Sequence, residues 1–319
     1  MRIAATMPTN VLSTLNAAPA QPTNGPSEQE LLLIDRMRSS NTNEHIKTLN
    51  VAPRVWKTPG YDVAVDYVMR QLTAAGWDAR VEELASSGWG GGGKLRNVIA
   101  ERRGTAPDGE RKLVVAGAHL DSVRGAPGAN DNASGSATLI ELARSFSGIE
   151  TRNDIRLVWF DGEEAGLLGS RAHVKANAAD SARTIAMINM DMVGSQFGQV
   201  GFDLGVRTSN AISDAVKGVL LRTGLTAVEY LERHSRSDHA SFDAAGIPAL
   251  DFGVSVRDVS KQDPSYHSPR DTVDKINLQV LEGNGDLIAV TLLDFANRAQ
   301  RYLDAPAWRG VQVLNGHTA

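Results

Sequence analysis

The chain has 319 residues, 42% of them apolar and 22% charged, which excludes disordered, collagen-like and coiled-coil proteins. With 33 Lys and Arg against 37 Asp and Glu, the net charge of -4 offers no basic footprint, so neither nucleic acid nor a membrane surface is expected as a partner. Cysteine is absent, which removes disulfides, thiolate ligands and thiol nucleophiles and leaves nitrogen and oxygen donors for any bound metal.

Residues 1–26, rich in Ala, Pro, Thr and Asn without periodicity, read as a flexible tail. One domain is expected over 27–305, followed by a second tail over 306–319. No run reaches the ~18 apolar residues of a membrane helix. Pro8, Thr9 and Asn10 interrupt the start that an export signal would need, so the compartment expected by default is cytoplasmic, or secreted if the N-terminus has been trimmed.

From Ser27 the spacing of Leu31, Leu32, Ile34 and Met37 predicts a helix, and Val63, Val65, Val68, Met69 and Leu72 predict another over Tyr61 to Ala75, closed by Gly76. Apolar runs then alternate with helical stretches. Strands are expected at Asn97–Ala100, Leu113–Ala118, Ile155–Phe160, Thr184–Met190 and Ile247–Phe252. Helices are expected near Ala137–Phe146, Leu167–Ala176, Ala211–Thr223 and Leu278–Tyr302. The alternation predicts an α/β fold, a single three-layer α/β/α domain with a mostly parallel central sheet. Gly88, Gly93 and Lys94 fit the frame of a phosphate-binding loop, but Leu95 stands where Ser or Thr should be and the loop neither follows an apolar strand nor opens a helix, so a surface loop is expected instead.

Chemistry gathers at strand ends. His119 closes the run from Leu113, and Asp121 points to the same side two residues later, where a carboxylate can orient an imidazole. Asp131 follows among small residues before a helix, where it could cap that helix or ligate a metal. Glu163 and Glu164 end the strand from Ile155, and adjacent carboxylates there are costly unless they share a cation or proton, a solvated turn being the alternative. Asp191 ends the strand from Thr184, and Tyr266-His267 lies in a Pro-rich loop. Ligands of an open α/β sheet collect at the carboxyl ends of its strands. Two histidines and three carboxylates without sulfur suit zinc best, with cobalt or manganese as substitutes.

Ser237-Asp238-His239 is no triad by adjacency alone, and no G-x-S-x-G elbow occurs. His239 reads as packed at a helix start, and His45, His173, His234 and His317 as structural or surface residues. Met187, Met190 and Met192 read as core.

In order and spacing these motifs resemble the zinc aminopeptidases of the M28 peptidase family. The likeness spans roughly residues 30 to 300, through Arg96-Asn97-Val98, His119 to Asp121, Asn130 to Gly135, Phe160 to Glu164, Asn189 to Gly194, Ser237 to Phe242 and Tyr266-His267. It implies a two-zinc centre in which Asp131 bridges, His119 and Asp191 hold one ion, and Glu164 and His267 hold the other. It further implies Glu163 as general base, Tyr266 as oxyanion donor, Asp121 and Asp238 as supporting groups, and a cis bond at Asp131-Asn132. The implied activity is hydrolysis of the N-terminal peptide bond, or of a small amide, in a substrate with a free amine, through a water shared by the metals. A single-zinc glutaminyl-peptide cyclotransferase and a non-catalytic peptidase-like binding domain are the alternatives. Ser268 stands where some secreted members carry cysteine, which removes a disulfide and no ligand.

Overall fold

A computed structural model of the chain describes residues 25–86, 92–254 and 263–299. The expected tails, apart from residues 25 and 26, lie outside these, as do Tyr302, Gly88 and His317. Three helices come first: α1 (Glu28–Arg36), α2 (Ser39–Leu49) and α3 (Pro59–Ala74). Ser27 and Glu30 close a capping box on α1, and Gly76, at φ 74°, ends α3 as anticipated.

The strands are β1 (Asp78–Ser86), β2 (Gly93–Arg102), β3 (Leu113–His119), β4 (Asp154–Phe160), β5 (Thr184–Asp191), β6 (Gly201–Leu204), β7 (Val228–Glu229) and β8 (Ala249–Gly253). They form one eight-stranded sheet in the order β1-β2-β4-β3-β5-β8-β6-β7. Its centre, β4-β3-β5-β8, is parallel throughout, as the Val- and Ile-rich runs predicted. Towards the edges it turns antiparallel, at β1-β2, β2-β4 and β6-β8.

Alternation along the central strands divides the apolar side chains between two cores. Val98, Val114, Ala116, Leu157, Trp159 and Ile188 face the layer that includes α4 (Gly135–Ser145) and α8 (Leu278–Asn297). Ile99, Val115, Val158, Phe160 and Met187 face the other side, where Phe242 of α7 (His239–Ala244) packs near α5 (Leu168–Ala176). A period of two with both faces buried is the signature of a central sheet between helical layers. The remaining long helix is α6 (Asn210–Thr223). Among the described residues no helix is long and apolar enough to cross a membrane. Parallel strands bring their carboxyl ends to one edge, so His119, Phe160, Asp191 and Gly253 finish side by side.

Candidate metal centre

The ends of β3 and β5, the loop after β4 and the loop that carries His267 converge on Asp131. One carboxylate oxygen, Oδ1, lies 3.2 Å from His119 Nε2, which is itself 3.5 Å from Asp191 Oδ1. The other, Oδ2, lies 3.0 Å from His267 Nε2, which is 3.1 Å from Glu164 Oε2. The five residues therefore form two donor sets, His119-Asp131-Asp191 and Asp131-Glu164-His267, that share only Asp131. Glu164 Oε1 and Asp191 Oδ1 are buried without a hydrogen-bond donor, the condition expected of oxygens shaped to face a cation. Residues of this type at this spacing fit zinc by donor chemistry.

Local sequence explains how each group is aimed. Asp131 sits in an irregular turn, Ala129–Ser134, whose Asp131-Asn132 peptide is cis, as the resemblance implied. The Asn132 amide ties this turn to β5 by donating to Met190 O at 2.8 Å, and its Oδ1 accepts from Gly135 N at 2.9 Å. A side chain at Gly135 would stand 2.3 Å from Met190 O, so only glycine permits that approach. His119 Nδ1 is 3.1 Å from the Asp121 carbonyl oxygen, and donation there orients the ring so that Nε2 faces Asp131. The Asp121 carboxylate is 3.5 Å from the same ring nitrogen and accepts instead from the amides of Glu163 and Glu164 at 3.1 and 3.2 Å. It thus fixes the turn that carries both glutamates. His267 stands in the left-handed region at φ 54°, and its ring stacks on Tyr266 with centroids 3.8 Å apart.

The electrostatics are those of crowded, buried acids. Burial, reinforced by Asp131, pushes the Glu164 carboxyl up to about 7, and burial with Asp238, Asp191 and Glu164 nearby holds Glu163 well above its usual range. Burial works against charge on both imidazoles, yet the surrounding carboxylates prevail: His119 is held well above its ordinary value, and His267 rises to about 10. The same imidazoles hold Asp131 far below the carboxylate range against its own burial. Burial, then the neighbouring carboxylates, raise Tyr266, whose hydroxyl therefore keeps its proton.

Asp238 is fully buried, with Ser170 as its polar neighbour, and no hydrogen bond of good geometry reaches its oxygens. Its charge acts on Glu163. Two further residues, Asp271 and Arg54, also hold the centre. Asp271 accepts from the Asn130 and Asp131 amides at 2.8 and 3.0 Å. Arg54, 1% exposed, donates to the carbonyls of Leu49, Leu120, Pro127 and Gly128 and so pins the segment leading into Asp131. Most of their partners are distant in sequence, so no local spacing announces them.

The sequence profile described as peptidase family M28 matches residues 97–292. Leupeptin-inactivating enzyme 1 of Streptomyces exfoliatus is 31% identical over 294 residues, which cover 86% of this chain and 65% of that one. A probable leucine aminopeptidase of Arthroderma otae is 34% identical over 212 residues, 58% of this chain and 57% of its own. The chain thus spans less than two thirds of the length of these curated relatives. Among solved structures, BSAP, a zinc aminopeptidase from Bacillus subtilis, superposes with a TM-score of 0.72 at 17% identity, covering 82% of this chain and 96% of that one. A glutaminyl cyclase from Porphyromonas gingivalis has the same fold, with a TM-score of 0.66 at 20% identity, covering 80% and 98%.

Proposed function

Because the chain belongs to peptidase family M28, we propose that it is a zinc-dependent aminopeptidase that removes the N-terminal residue of a peptide, or an amine-bearing acyl group from a small amide. The proposal includes two zinc ions, one held by His119, Asp131 and Asp191 and the other by Asp131, Glu164 and His267. The observation that carries it is the division of Asp131, whose two oxygens each face a different imidazole at 3.2 and 3.0 Å.

Zinc bound there supplies Lewis acidity, which acidifies water and polarises a carbonyl. The rest falls to the side chains. Glu163 lies beside His119 and Glu164 without belonging to either shared donor set, which leaves its carboxylate free to take a proton from the attacking water and return it to the leaving amine. Burial raises its proton affinity, as a general base requires, and bound cations would favour its ionised form. The Tyr266 hydroxyl, protonated throughout, can donate to the oxyanion.

The test compares a free peptide, its N-acetyl form and a peptide beginning with glutamine, each with and without a chelator. Chelator-sensitive release of the first residue from the free peptide alone supports the reading. Cleavage of the acetylated peptide would contradict the amine requirement, and ammonia released from the glutamine peptide with no cleavage would assign the site to cyclisation.

A further inference from the structure

A second group of metal-ligating side chains lies under the sheet edge, outside the centre around Asp131. Asp203 of β6, His234 of the segment after β7 and His239 at the start of α7 bring one donor atom each to within 4.8 Å of one another. All three are buried, at 2%, 6% and 0% exposure. His234 Nε2 lies 3.1 Å from Asp203 Oδ1 and 3.5 Å from Asp251 Oδ2 of the neighbouring strand β8. Donors held 2.0–2.1 Å from a tetrahedral ion are about 3.3 Å apart, and the two separations around His234 Nε2, 3.1 and 3.5 Å, bracket that value.

The tautomers carry the inference further. His239 Nε2 lies 3.0 Å from the His234 carbonyl oxygen, and a ring that donates there presents a bare lone pair on Nδ1. That Nδ1 is fully buried and meets no donor, and Asp203 Oδ1 is likewise without a hydrogen bond. A carbonyl fixing one ring nitrogen while the other waits unpaired is how proteins prepare a histidine ligand. The carboxylates point the same way, since Asp203 and Asp251 are paired directly across β6 and β8. Arg233, whose charge reaches Asp203, donates its guanidinium hydrogens to Gly205, Thr208 and Asn210 instead. Asp203 Oδ2 meets His234 Nε2 at 3.1 Å and Asp251 Oδ1 accepts from Asn189 Nδ2 at 2.7 Å, and among the described residues no lysine or arginine forms an ion pair with either acid.

We propose that Asp203, His234 and His239 form a second metal site that takes a divalent cation of the zinc class, with Asp251 at the fourth position. Four protein ligands and no open position make it a structural site, one that clamps β6, β8 and α7 together beside Asp191 on β5. His234 Nδ1 accepts from the Arg236 amide at 3.2 Å, so Nε2 bears the ring proton before the metal enters. Holding a cation there would require the ring proton, which now faces Asp203, to shift from Nε2 to Nδ1 and the Arg236 amide contact to give way.

The test counts zinc per chain by elemental analysis after saturation and desalting, in the unsubstituted protein and in His239→Phe and His234→Phe. Each variant is expected to hold one equivalent fewer, a difference that does not depend on how many ions the centre around Asp131 keeps. Equal counts in all three would overturn the proposal and leave a proton shared between Asp203 and Asp251. Should the variants fail to fold, anomalous diffraction at the zinc edge from the unsubstituted protein decides: a peak among Asp203, His234 and His239 supports the site, and its absence in zinc-saturated crystals refutes it.

Discussion

Asp271 closes both of its carboxylate oxygens on the backbone that leads into Asp131, Oδ1 on the Asn130 amide at 2.8 Å and Oδ2 on the Asp131 amide at 3.0 Å. The Asp271 carbonyl also accepts from Ala129 N, so the loop that carries His267 grips the turn that carries Asp131 at three points. Asp271→Ala leaves two buried amides unpaired, whereas Asp271→Asn keeps one acceptor. Zinc retention against a chelator and kcat/KM are both expected to fall, by about 10–100-fold in the alanine variant and less in the asparagine variant. Unchanged retention in Asp271→Ala would show that the clamp does not position the ligand.

Glu163→Gln removes the proposed base and leaves all five proposed ligands in place. Its zinc content is expected to match the unsubstituted protein while kcat drops by roughly 10²–10⁴-fold. A variant that loses zinc together with activity would make Glu163 a ligand instead.

Gly135→Ala is expected to lower stability in urea by roughly 3 kcal/mol, because its methyl group would meet Met190 O at 2.3 Å and Asn132 Oδ1 at 2.4 Å, with backbone on one side and a hydrogen-bonded amide on the other. Unfolding midpoints that coincide would mean that the turn shifts freely.

Glu82 ties β1 to α5 through His173 at 2.8 Å and Asn177 at 2.9 Å. Burial works to raise its pKa, but these partners and Asn97 prevail and lower it from 4.5 to about 2. A depressed carboxyl stabilises the fold above its unfolded value and loses that contribution as pH falls through its folded value. The Tm of the unsubstituted protein is therefore expected to exceed that of Glu82→Gln at pH 4.5 and above, with the gap closing between pH 4.5 and about 2. A gap that stays constant through that window would contradict the linkage.

The parallel centre of the sheet was legible because Leu113–His119, Ile155–Phe160 and Thr184–Met190 are largely apolar runs, buried on both faces. The site residues were legible because each stands at the end of such a run or in a loop of unusual composition. What escaped lies at the edges. β1 alternates exposed and half-buried positions and is rich in Ala and Glu, so its local preference runs against a strand until β2 supplies the pairing. The short β6 and β7 carry too few residues for a period, and α2, Ser39–Leu49, is polar on most of its surface. His234 and His239 were read as structural histidines, and neither has a sequence neighbour that hints at Asp203, more than thirty residues earlier. The strand order decides that meeting, because β6 joins the sheet beside β8 rather than beside β5.

The sharing of Asp131 between two ions is tested most directly by counting zinc in Asp131→Ala against the unsubstituted protein, with folding checked by circular dichroism. Loss of the one ligand common to both donor sets is expected to lower the count by two equivalents, whereas His267→Ala lowers it by one. A fall of one equivalent or none in Asp131→Ala would contradict the bridged centre.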